Sequence, residues 1–167
     1  MGYCIDMTFQ NVSIPASSIA DACKRIEILM DGPDSRRYAW VRTAHVMESL
    51  SGHARTALGN QAIMLVLALG EWGFDATVVT SPMHTGSSDP ARVGQRDVLG
   101  VELTCWTGDK MGDEELVWHA LAPCVKAGSV MRWHGEDGTQ WQYLFRGDDM
   151  RVGTPSITWD TLESSAG

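Results

Sequence analysis

Arg36, Arg37 and Arg42 fall close together around Tyr38 and Trp40, in a chain whose 21 acids outnumber its 13 lysines and arginines. A guanidinium binds carboxylate and phosphate oxygens bidentately and stacks on aromatic rings, so this pairing suits interface hot spots and anion sites. Read as a short strand, 36–42 turns Tyr38, Trp40 and Arg42 to one side together. His45 follows just beyond it. The competing reading is an edge strand whose arginines offset local acids and discourage edge pairing. Arg36, Arg37, Tyr38, Trp40, Arg42 and His45 are the expected binding residues, for a protein partner or an anionic small molecule.

The other chemistry-bearing residues form no catalytic set. His45 and Glu48 stand at i, i+3, with His53 further on. Yet there is no H-E-x-x-H, no paired cysteine motif and no carboxylate-rich calcium loop, so neither a metal nor a cofactor is expected. There is no G-x-S-x-G elbow, and GDKMG lacks the G-K-[ST] ending of a phosphate loop. Cys4, Cys23, Cys105 and Cys124 sit in apolar periodic contexts and read as separate, buried, protonated thiols. Glu114-Glu115 reads as a helix start, Asp148-Asp149 as a turn, and His119 as a partly buried, hydrogen-bonded helix residue.

WHGEDGTQWQYLF, 133–145, is dense in reactive side chains but follows hairpin grammar. A two-residue Asp-Gly turn would put Trp141 opposite His134 and mix polar with apolar residues on both faces. A three-residue loop with Gly138 in the left-handed position instead pairs Trp133 with Trp141 and Met131 with Tyr143. Phe145 joins that face, while Arg132, His134, Gln140 and Gln142 share the other, so this is the expected register. The longer run GDEELVWHALAPCVKAGSVMRWHGEDGTQWQYLF, Gly112 to Phe145, resembles the C-terminal half of uncharacterised small phage and actinobacterial proteins. These share a GDEE helix, an A-P turn, a G-S strand and a GEDG-x-x-W hairpin. The resemblance implies a hairpin and brings no catalytic residue.

The elements that must position these residues follow from periodicity. Tyr3–Phe9 alternates as a half-buried strand, and Pro15 breaks the chain. Ser17 or Ser18 then caps a helix that aligns Ile19, Ala22, Cys23, Ile26, Leu29 and Met30. After the 36–42 strand, Thr43 caps a helical turn, and 51–60 is a loop or frayed helix. Gln61–Glu71 reads as a buried helix, Asp75–Thr80 as a strand, 81–97 as a surface loop and Val98–Trp106 as a strand. A helix capped by Asp113 runs to about Ala122, and strands at about 129–134, 139–146 and 149–152 complete the fold. The expectation is a single α+β domain over 1–167 with a loose tail at 163–167. Its largely antiparallel sheet carries about three helices on one face.

Composition bounds the function. A formal charge of −8 repels phosphate backbones, which argues against general nucleic-acid binding and favours a basic partner. No basic and apolar leader opens the chain, and no apolar run approaches the ~20 residues of a membrane span, so a cytoplasmic location is expected. A homodimer is among the assemblies this allows. Two function classes remain. One is a non-catalytic interaction protein of the phage-inhibitor or immunity type. The other is a small enzyme or small-molecule binder of a specialised biosynthetic pathway. In that reading the pocket lies near Arg36–His45, is lined by Trp40, Trp72 and Trp106, and is closed by 81–97.

Overall fold

The computed structural model describes residues 5–32, 58–83, 96–107 and 114–156. The expected strand at 36–42, the turn after Thr43, Cys4, Asp113, most of the 81–97 loop and the tail lie outside the described residues. The fold is α+β and antiparallel throughout its strand pairs. Among the described residues the strands form two sheets rather than one, of four and three strands.

The division is made near the N-terminus. β1 (Ile5–Gln10) exposes Asp6, Thr8 and Gln10 and half-buries Met7 and Phe9, as its period predicts. Asn11 then turns at φ 55°, a left-handed conformation that Asn tolerates better than most residues. β2 (Ser13–Pro15) follows at once. The Asn11 carbonyl accepts the Ser129 hydroxyl at 2.7 Å and the Ser13 carbonyl accepts the Lys126 N–H at 2.8 Å. Between them the Val12 carbonyl accepts from Leu103 N–H at 3.0 Å. The link is therefore hydrogen-bonded both to the three-stranded sheet, through Leu103, and to the 126–129 connection that leads into the four-stranded one. Pro15 ends β2 opposite Gly100.

α1 (Ile19–Asp31) buries Ile19, Ala22, Cys23, Ile26 and Met30, the anticipated face. Ser18 occupies its N-cap without a side-chain capping bond, and a short 3₁₀ turn, Ala16–Ser18, leads in. α2 (Leu58–Gly70) begins three residues before the expected Gln61 and ends in a turn where Gly73 adopts φ 78°. β3 (Phe74–Thr80) and β4 (Val98–Trp106) complete the three-stranded sheet in the order β2-β4-β3. α3 (Glu114–Leu121) passes into a 3₁₀ turn around Pro123. The remaining strands, β5 (Val130–Gly135), β6 (Gln140–Phe145) and β7 (Met150–Gly153), form the order β1-β5-β6-β7.

α1 packs on α2 and α3, and α2 lies on β3 and β4. Asp21 of α1 accepts from Arg25 Nε at 2.7 Å and from the Cys124 thiol at 3.4 Å, while Arg25 reaches the Ala120 carbonyl at 3.4 Å. This clasp ties α1 to the end of α3. The aromatic centre of the core joins both sheets. Phe74 meets Trp118 edge-on at 5.0 Å and Trp133 at 6.3 Å, and Trp118 meets Phe145 at 5.9 Å.

The hairpin has the expected register, Trp133 opposite Trp141 and Met131 opposite Tyr143, with Gly138 at φ 83°. The two indoles stack at 5.8 Å and 5°. Trp133 and Tyr143 are buried, but Trp141, expected in the core, is half-exposed. It covers Trp133 from the rim.

A bulge in β4 changes the expected burial of one thiol. Ala76 pairs with Leu103 but Asp75 with Cys105, so Thr104 is an extra residue. Unbroken alternation would keep Cys105 on the buried face of Val101 and Leu103. The insertion turns it out to solvent and brings Trp106 inward. There the Trp106 indole N–H donates to the Trp72 carbonyl at 3.2 Å. His119 is also exposed rather than partly buried, 3.6 Å from Glu115 one turn earlier on α3. Glu114 sits in the first turn of α3, as expected, and is buried there.

Candidate functional site

α2, LGNQAIMLVLALG, carries no charge along its length. A helix apolar on all sides belongs in a core. Its inner face does meet the core through Ala62, Leu65, Ala68 and Leu69. On its outer face Ile63 and Leu67, one turn apart, remain 49% and 43% exposed, and Leu58 is exposed in the first turn. Beside Leu67 a groove of about 350 Å³ runs between the C-terminal half of α2 and the start of β3. Val66, Leu67, Gly70, Phe74 and Ala76 give it an apolar lining, and its two ionisable residues, Glu71 and Asp75, are both acids. Such a surface can seat apolar side chains flanked by cations. Its lining includes no Ser, Thr, Cys, Lys or His.

A second cleft, of about 510 Å³, opens on the three-stranded sheet. Val79 pairs with Gly100 but Thr80 with Val98, which makes Leu99 the extra residue of the second bulge and leaves it 53% exposed. Gly100 next to it has no side chain because none fits: a Cβ there would lie 2.7 Å from the Ile14 carbonyl oxygen. The cleft thus joins Leu99 to Pro15, Val79 and the bare backbone of Gly100. Lys126 and Glu102 line it as well, on opposite sides of Ser13: one donates its backbone N–H to the Ser13 carbonyl, the other pairs with Ser13 across β2–β4.

Among the described residues the groups capable of chemistry are dispersed. Burial pushes the Cys23 thiol up to about 11, and burial together with the Asp21 carboxylate does the same to Cys124. Hydrogen bonding from Arg25 holds the Asp21 carboxyl below its ordinary value. Burial, with Glu115 and Glu114 nearby, pushes the Tyr143 hydroxyl up to about 12. These are protonated thiols and a protonated phenol at neutral pH, the opposite of activated nucleophiles. His134 is exposed on the outer face of β5. Among the described residues no group of three or more His, Cys, Asp or Glu could hold a metal ion.

Of the residues singled out from sequence, Arg36, Arg37, Tyr38, Trp40, Arg42 and His45 lie outside the described residues. Trp72 and Trp106 are in contact within the fold, where Trp72 is buried and Trp106 donates to its carbonyl. Sequence reasoning missed both surfaces above. A charge-free helix reads as buried, and nothing in its spacing marks Ile63 and Leu67 as outward. For the bulge there was a signal: Gly100 inside VLGVELTCW, since an isolated strand glycine points to a bulge or a close backbone approach.

No protein-family model, curated protein or solved structure matches this chain. Among the described residues no helix is long and apolar enough to cross a membrane.

Proposed function

We propose that this chain is a small acidic interaction protein without catalysis of its own, a binding module of the inhibitor or immunity type. Its α2–β3 surface docks on a protein partner that presents apolar side chains flanked by Lys or Arg. One observation carries this reading: a charge-free helix leaves Ile63 and Leu67 in solvent beside a groove whose ionisable residues are Glu71 and Asp75. Apolar anchors in a groove supply affinity, and acids at its margin select a basic partner and speed encounter. The overall charge of −8 acts in the same direction.

The test uses the full chain as bait, wild type beside Leu67→Glu and Ile63→Glu. A partner held by wild type and released by both variants, at unchanged melting temperature, supports the assignment. A partner that binds Leu67→Glu and Ile63→Glu as tightly as wild type refutes it. The rival reading, a pocket near Arg36–His45 for an anionic ligand, is separated by Arg37→Glu with Arg42→Glu in the same assay.

A further inference from the structure

We propose that the Leu99 cleft is a self-association site, occupied by the same cleft of a second copy of this chain. A two-fold interface must be complementary to itself, each patch supplying what the other lacks. This one has the required parts. Leu99 projects beside the side-chain-free surface of Gly100 and the flank of Pro15, giving an apolar centre. Lys126 stands to one side of Ser13 and Glu102 to the other. Among the described residues neither has an ion-pair partner within its own chain. A two-fold axis lying in the interface and running along β2 reverses left and right, so each Lys126 faces the other copy's Glu102 and both Leu99 side chains are covered together.

A foreign partner would need no such balance of signs. The α2 groove, whose ionisable lining residues are acidic, shows the one-signed alternative. Nor does the backbone leave this geometry to chance. Gly100 cannot carry a side chain, and Leu99 points outward because a bulge makes it do so. Bulges that re-aim a single side chain are built features rather than irregularities. The inference stands apart from the partner proposed for α2, because it uses a different face and a different balance of charge.

Sedimentation of the full chain over a wide concentration range provides the test. Wild type is expected to pass reversibly from monomer to dimer as concentration rises. Leu99→Asp should remain monomeric at the same concentrations with an unchanged circular dichroism spectrum. Glu102→Lys and Lys126→Glu each turn two attractions into two repulsions and should weaken the dimer about tenfold or more, whereas the double reversal should restore it to within about threefold. Restoration by the double variant cannot come from a folding defect, so it identifies the pairing directly. A wild-type chain that stays monomeric throughout overturns the proposal and leaves the cleft to a foreign chain. So does a double variant no better than its single parents.

Discussion

Trp133 shows what a single side chain does in this core. It touches Phe74, Trp106, Trp141 and Tyr143. Removing its ring in Trp133→Ala should cost about 3–5 kcal/mol by chemical denaturation. Trp141→Ala, which uncovers one face of that ring from a half-exposed position, should cost about half as much. His134→Ala on the wet face should stay under about 0.5 kcal/mol. Equal losses for His134 and Trp133 would mean that the faces are assigned wrongly. The contrast between Trp133 and His134 was legible in the sequence, because only one register separates apolar from polar side chains. Trp141's rim position was not, since periodicity tells which face a residue takes but not how near it lies to the edge. The thiols divide similarly. In native protein Cys105 should be alkylated rapidly while Cys23 and Cys124 are protected, as peptide mapping by mass spectrometry would show. Protection of all three would contradict the bulge at Thr104. Burial also sets a pH limit. A thiol whose folded value is raised to about 11 from about 9 contributes its full stability below pH 9 and loses it as pH rises towards 11. Tyr143, raised from 10 to about 12, extends the loss upward. Denaturation midpoints should therefore hold to about pH 9 and fall beyond it, and a midpoint rising across pH 9–11 would contradict the burial of these groups.

At the scale of elements, most strands and helices lie within a few residues of where their periods place them. β4 occupies the expected residues, and α1 buries the expected face apart from the half-exposed Leu29. What periodicity could not supply is the handling of β4's edges. A bulge adds one residue that no alternation announces, and β4 has two, at Leu99 and Thr104. The split into two sheets was likewise hidden, since it depends on the turn at Asn11 and on which carbonyls of 11–13 meet which partners. Gly100 is the residue on which β2 and β4 depend most. Gly100→Ala sets a methyl against the Ile14 carbonyl, an atom of rigid backbone, and should cost about 1–3 kcal/mol. Gly138→Ala has open space around it but a φ of 83°, and should cost about 1 kcal/mol through strain alone. Thermal unfolding distinguishes the two mechanisms. If Gly100→Ala proves the milder change, the close approach of β2 to β4 is not as tight as it appears.

Across the whole molecule, charge decides between the binding surfaces. The chain is −8 overall, and the α2 groove shares that sign, whereas Arg36, Arg37 and Arg42 reverse it locally. A long-range field attracts one class of partner and repels the other, and salt screens it over roughly 8–10 Å near physiological ionic strength. For a basic partner at α2, the association rate should therefore fall as salt is raised from low to physiological levels, while the dissociation rate, governed by Leu67 in the groove and Ile63 one turn before it, changes little. For an anionic ligand held by the arginines, the global field opposes encounter, so added salt should raise the association rate or leave it unchanged. Glu71→Lys with Asp75→Lys should slow the first kind of encounter, and Arg37→Glu with Arg42→Glu should abolish the second. Stopped-flow binding at several salt concentrations, with the partner retained by wild type, reads both. An association rate that rises with salt and is insensitive to Glu71 and Asp75 would transfer the binding role from α2 to the arginine segment.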